Sequence, residues 1–145
     1  MITRIAHVGV ATRSIAVTAE FYRLLGLELT AVEVVEDQKV KVAQIGAGDS
    51  SLELLEATDD DSPIARFIQK RGEGIHHICL EVDDLKQVLL VLKENRVRLI
   101  DDKPRVGAGG CLIAFVHPHS TGGVLIELTQ AGSRQQDLGE VDEVG

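Results

Sequence analysis

Residues 3–10 alternate in polarity. Ala6, Val8 and Val10 take one face while Ile5, His7 and Gly9 take the other, which is the period of a strand. Ser14 can cap the helix that follows. Ile15, Ala19, Tyr22 and Leu25 fall on one stripe of it, and Gly26 ends it. The valine-rich run 28–36 predicts a second strand and Asp37-Gln38-Lys39 a turn. Val40, Val42 and Ile45 carry a third strand. Gly46-Ala47-Gly48-Asp49 is a hairpin turn, and the strand around Glu53 closes the unit.

A polar, acidic linker fills residues 57–62. Ser62-Pro63 is a helix-start signal, because proline suits the first helical position; Ile64, Phe67 and Ile68 give that helix an apolar face, and Gly72 stops it. The pattern then restarts. A strand spans 74–82, and Asp83 or Asp84 can cap a helix carrying Leu85, Val88, Leu89 and Leu92. Val97 to Ile100 reads as a short strand, 101–104 as a turn and 107–110 as a glycine-rich loop. Strands follow from Cys111 to His117 and from Val124 to Gln130, separated by a turn. After Gln130 periodicity ends, and 131–145 reads as a polar, flexible tail.

The order is therefore βαβββ, linker helix, βαβββ, with repeats over about 3–56 and 74–130. This predicts an α+β fold in which two tandem βαβββ units, joined by a linker helix, form curled mixed sheets around a half-barrel metal cleft. A unit of half this length cannot cover both faces of its sheet, so the repeats should pair into one domain over residues 1–130.

Composition narrows the partners. The 145 residues include 44% hydrophobic but only 3% aromatic residues, so the core is aliphatic. A formal charge of −8 argues against sequence-independent nucleic-acid binding, which needs basic surface. No apolar run reaches the roughly 18 residues of a membrane span, and no signal-peptide pattern opens the chain, which favours the cytoplasm. Cys79 and Cys111 make neither a disulfide framework nor a zinc ribbon, so both read as free thiols.

The repeat brings chemistry with it. His7 and Glu53 are 46 residues apart, and His77 and Glu127 are 50 apart. In each of the four strands the flanking apolar residues oppose the His or Glu. Val8 and Val10 oppose His7, Leu52 and Leu54 oppose Glu53, Ile78 and Leu80 oppose His77, and Ile126 and Leu128 oppose Glu127. The apolar faces can meet helices while the four polar groups share the other side. Two carboxylates there repel each other and lose hydration, and a divalent cation removes both penalties. Mixed imidazole and carboxylate donors suit cobalt, manganese, nickel, iron or zinc without choosing among them. Taken singly, a strand histidine is ordinarily a hydrogen-bonded structural residue and a strand glutamate a solvated one. His76 reads as structural, on the helix-facing side of its strand, and His117 and His119 as turn residues. The glycine run 107–110 lacks a P-loop lysine and is a weak phosphate signal.

These residues resemble the vicinal oxygen chelate, or glyoxalase-like, superfamily, and within it the methylmalonyl-CoA epimerase family. The resemblance is carried by Ile5-Ala6-His7-Val8-Gly9-Val10-Ala11, Asp37-Gln38-Lys39-Val40, Asp61-Ser62-Pro63-Ile64, Gly74-Ile75-His76-His77-Ile78 and Gly122-Gly123-Val124-Leu125-Ile126-Glu127-Leu128, and covers about residues 2–130. It implies an isomerase that interconverts (R)- and (S)-methylmalonyl-CoA through a metal-stabilised enolate, in propionate metabolism. It also implies His7, Glu53, His77 and Glu127 as metal ligands, with Glu127 as a catalytic base besides. Cobalt is the metal it favours, with manganese, nickel or zinc as alternatives. An acyl-CoA is the implied substrate and a homodimer the implied assembly.

Two departures mark the chain. Some family members carry a glutamate, proposed as a base, two residues past the valine that follows the acidic-Gln turn; here that position is Val42, which cannot move a proton. His119 stands where a lysine commonly follows the His-Pro pair. Lys39 and Lys41 read as exposed turn residues, and Lys70, Arg71 and Arg105 as candidate contacts for the coenzyme's phosphates. Other functions on the same fold are a glyoxalase I-type isomerase, an extradiol dioxygenase and a metal-free ligand-sequestering protein. Glu53 as a fourth donor argues against the dioxygenase, the pocket motifs against the glyoxalase, and the four matched donors against the sequestering protein.

Overall fold

The computed structural model describes residues 1–130, so the tail expected over 131–145 lies outside the described residues. The chain divides into two compact units. One is Ala6–Ile78; the other joins Met1–Ile5 to the chain from Cys79 onward. Strands β1 (Ile2–Ala11) and β5 (Gly74–Val82) each contribute residues to both. The secondary structure is the α+β pattern expected from the repeat.

In the first unit, helix α1 (Ile15–Leu24) follows β1, then strands β2 (Leu29–Val35), β3 (Val40–Ala47) and β4 (Ser50–Ala57), then helix α2 (Pro63–Arg71). The strand order is β2-β3-β4-β1, with β1 parallel to β4 and the remaining pairs antiparallel. Ser14 caps α1 by accepting the Val17 N–H at 3.2 Å, and buried Ser62 caps α2 by accepting the Ile64 N–H at 3.1 Å. Helix α1 ends one residue short of Leu25, which is exposed, and Leu27 packs in its place beneath the helix.

Both faces of this sheet are covered. Ile15 and Ala19 of α1 pack with Ala43, Ile45 and Leu54 on one face. Ile64, Phe67 and Ile68 of α2 pack with Ala11, Val40, Val42 and Leu55 on the other. Fully burying a valine, leucine or isoleucine side chain in these clusters contributes about 1.5–3 kcal/mol. The turn between β2 and β3 is a single 3₁₀ turn, Glu36–Gln38, closed by Lys39 in the left-handed region at φ 53°.

In the second unit, helix α3 (Leu85–Glu94) follows β5, then strands β6 (Arg105–Val106), β7 (Leu112–Val116) and β8 (Ile126–Gln130), ordered β5-β8-β7-β6. Asp84 caps α3 by accepting the Gln87 N–H at 3.1 Å. Leu85 and Leu89 pack with Val82, Ala114, Val116 and Leu128. The first residues of β1 lie beside the end of β5. There Thr3 donates to a Glu81 carboxylate oxygen at 2.8 Å, and Arg4 donates to the same oxygen at 3.2 Å.

One expected strand is shortened. Residues 97–100 pair with β7 at a single bridge, Leu99 to Val116, flanked by backbone bonds from His117 N–H to Arg98 and from Ile100 N–H to Phe115, and a further short strand, Arg105–Val106, pairs along the same β7. Asp101 lies between the two. Its carboxylate accepts the Phe115 N–H at 2.8 Å and the Arg105 Nε–H at 3.1 Å, occupying a donor that a continuing ladder would have used.

Candidate metal centre

Three of the four expected donors come together within the first unit. Parallel pairing sets Gly9 of β1 opposite Glu53 of β4, and antiparallel pairing sets Gln44 of β3 opposite Glu53. His7, two residues before Gly9, therefore shares a face with Glu53. The Nε2 atoms of His7 and His77 are 3.0 Å apart, and His7 Nε2 is 3.2 Å from Glu53 Oε1. Ligand atoms of all three side chains lie within 4.8 Å of one another. Gln44 donates its amide N–H to Glu53 Oε2 at 3.4 Å, holding the second carboxylate oxygen.

These spacings fit a cation. A metal–nitrogen bond of about 2.0–2.1 Å puts two ligand atoms at right angles about 2.9–3.0 Å apart. Glu53 and His77 are buried, so the carboxylate sits where a counter-charge matters most. Imidazole and carboxylate donors together accept the divalent ions already named. His7, Glu53 and His77 are the residues that would hold such an ion here.

Glu127 belongs to the second unit. It pairs opposite Phe115, on the face of β8 away from Leu128 and α3, and is buried. The buried thiol of Cys79 lies within 4.8 Å of a Glu127 carboxylate oxygen. Neither Cys79 nor Cys111 is in a disulfide among the described residues, as expected.

Some contacts of the donor cluster escaped the sequence. Gly9 is one. A β-carbon there would stand 2.2 Å from Cε1 and 2.5 Å from Nδ1 of His77, so only glycine leaves room for the ring. His76 is another. It packs edge-on against Phe67 of α2 with ring centres 5.0 Å apart, and its Nδ1 lies 2.9 Å from Nδ1 of His77. The helix it meets is α2, on the donor side of the sheet, and the ring also touches a donor.

Val42 is buried opposite Leu55, on the same face as Gln44 and Glu53. This face is lined by aliphatic groups and α2, with no titratable side chain at position 42. Lys39 is tied to Asp61, whose hydrogen bond raises the lysine's pKa. Arg105 is held by Asp101 and lies 5.5 Å from the Phe115 ring centre, while Arg71 lies 5.9 Å from that of Phe67. His117 accepts the His119 N–H through Nδ1 at 3.0 Å, in the turn expected for both. Among the described residues, no helix is long and apolar enough to cross a membrane.

The fold matches known proteins. Residues 6–115 match the family model of the Glyoxalase/Bleomycin resistance protein/Dioxygenase superfamily, and the chain belongs to that superfamily. It is 43% identical to an uncharacterized protein of Bacillus subtilis, YqjC, over 92% of this chain and 96% of that one. It is 38% identical to the mitochondrial methylmalonyl-CoA epimerase of Mus musculus, over 88% of this chain and 73% of that one. Among solved structures, a variant of Streptomyces coelicolor methylmalonyl-CoA epimerase in complex with 2-nitronate-propionyl-CoA superposes with a TM-score of 0.86 at 37% identity, covering 92% of this chain and 97% of that one. Within the superfamily, the chain falls in the methylmalonyl-CoA epimerase family, a family of isomerases.

Proposed function

We propose that this chain is a metal-dependent epimerase that interconverts (R)- and (S)-methylmalonyl-CoA. The observation that carries the reading is the convergence of His7, Glu53 and His77, whose donor atoms lie within 4.8 Å of one another in a chain of this family. Glu127, matched to Glu53 by the sequence repeat, completes the proposed ligand set. A divalent ion bound there, cobalt first among the candidates with manganese, nickel or zinc behind it, supplies the Lewis acidity that lowers the cost of a developing oxyanion.

The side chains account for the rest. The proton between the thioester and the carboxylate must leave one face of the α carbon and return to the other, so an acceptor and a donor are needed on opposite sides. Glu127 is the proposed base on one side. Position 42, where some relatives place a carboxylate, offers only a methyl-lined surface next to Leu55 and Ala11. The opposite proton therefore travels through water or through a side chain other than residue 42. The aliphatic face under α2 excludes solvent from one flank of the donor cluster, which strengthens charge interactions there.

The same reading takes residues 1–130 as one glyoxalase-like domain, with an acyl-CoA as substrate, a homodimer as assembly and the cytoplasm as location. Its test is proton exchange. Protein loaded with cobalt or manganese and incubated with one epimer in deuterated water should place deuterium at the α carbon and yield the other epimer. Chelator should stop both. Absence of exchange with either metal overturns the reading.

A further inference from the structure

Behind the donor cluster a second pair of ring nitrogens meets. His76 Nδ1 and His77 Nδ1 are 2.9 Å apart, and the two rings stand nearly perpendicular, at 89°. Two ring nitrogens at that distance share one proton, since two lone pairs or two N–H groups facing each other repel. The other end of His77 decides which ring holds it. Its Nε2 faces His7 Nε2 at 3.0 Å, in the cluster completed by Glu53. For that nitrogen to offer a lone pair to a cation, the neutral ring must carry its proton on Nδ1. His77 then donates and His76 accepts, which puts the proton of His76 on its own Nε2.

We propose that His76 is a positioning residue: by accepting the Nδ1–H of His77, it fixes the tautomer and tilt that aim His77 Nε2 at a divalent cation held with His7 and Glu53. The proposal rests on the metal reading above. Histidine ligands are characteristically oriented through their second nitrogen, and losing that partner costs about 10–100-fold in metal affinity. Here the acceptor is another imidazole rather than the more usual carboxylate or carbonyl. It is itself braced, because Phe67 of α2 packs against the His76 ring at 5.0 Å and 77°. On the other side Gly9 leaves the space in which the His77 ring lies. The ring of His77 is thus set by Gly9 of β1 and by His76 of its own strand, which α2 braces in turn.

The test compares the intact wild-type protein with His76→Phe and His76→Asn. Phenylalanine keeps a ring against Phe67 but removes the acceptor. Asparagine places an amide oxygen near the position of Nδ1. Two readouts are taken: long-range proton–nitrogen spectra of the metal-free proteins at pH 8, which report the His77 tautomer, and cobalt(II) titrations followed by visible absorption. Wild type should show His77 protonated on Nδ1. His76→Phe should lose that preference and bind cobalt about 10–100-fold more weakly, and His76→Asn should stay within about threefold of wild type.

An unchanged His77 tautomer in His76→Phe, or cobalt affinity within about twofold of wild type, overturns the proposal. So does a wild-type His77 protonated on Nε2. Failure of wild type to bind cobalt refutes the metal reading instead, and the tautomer spectra alone then decide the role of His76. His76→Leu, which also lacks an acceptor, carries both readouts if the phenylalanine variant does not fold.

Discussion

The imidazole of His77 rests on Gly9. A β-carbon added at residue 9 would meet Cε1 at 2.2 Å, Nδ1 at 2.5 Å and Nε2 at 2.8 Å, all on the ring of a proposed ligand. Gly9→Ala is therefore expected to push the ring out of place. Overpacking of this kind costs about 1–3 kcal/mol. Cobalt affinity, measured by titration, should fall more than the loss of stability alone would produce. Binding indistinguishable from wild type would show that the ring has freedom the packing denies it.

Glu53 offers a graded test. Glu53→Gln keeps an oxygen donor next to His7 and should retain bound metal after gel filtration, with exchange slowed by no more than about tenfold, or ~1.4 kcal/mol. Glu53→Leu removes the donor and should leave the protein metal-free by elemental analysis. Equal metal content in the two variants would remove Glu53 from the ligand set.

At position 42 the expectation runs against restoring a carboxylate. Val42→Glu places an ionisable group among Ala11, Val40, Leu55 and Ile64, where the native side chain is 5% exposed. Burial will favour its neutral form, and urea unfolding should register a loss of about 2–4 kcal/mol. Deuterium exchange should persist, because the wild-type chain already works without a base there. Abolished exchange in a folded variant contradicts this.

Glu73 predicts an acid dependence of stability. The Arg13 backbone N–H, donated to its carboxylate at 2.8 Å, holds its pKa below the usual range, assisted by the Thr12 hydroxyl at 2.9 Å. A depressed folded pKa means that the contribution is present above the unfolded value, near about 4.3, and fades as pH drops through the lower folded value. Metal-free wild type should therefore melt higher than Glu73→Gln at pH 7, with the gap closing in acid. A gap unchanged down to pH 3 would falsify the assignment.

Much of the site was legible because strand parity is a strict rule. His7 and Glu53 are placed on one face by alternation, and pairing of β1 with β4 realises that placement. Alternation does not foresee the contacts of His76: adjacent strand residues point to opposite faces, yet the His76 ring meets both Nδ1 of His77 and Phe67 of α2. Gly9 carries no side chain to signal its role, and what it accommodates comes from 68 residues further along. The short strand at 105–106 follows Asp101, whose carboxylate takes the Phe115 N–H, a side-chain contact that periodicity does not announce. The linker helix was expected from its proline and apolar stripe, but covering the donor side of the sheet is a tertiary choice. The amphipathic pattern of α2 specifies only that some surface receives it.

Strands β1 and β5 each give residues to both compact units. The sequence repeats and the packed units therefore have different boundaries. A nick in the acidic linker at 57–62 would divide the chain between repeats, cut the Ala6–Ile78 unit internally and part Met1–Ile5 from the rest of the other unit. The fragment with His7 and Glu53 would lose His77, and the fragment with Glu81 would lose Thr3 and Arg4. Each piece is therefore expected to need the other, and mixing the two should restore the packed units by complementation. The duplication visible in the sequence is then no guide to where the chain can be cut.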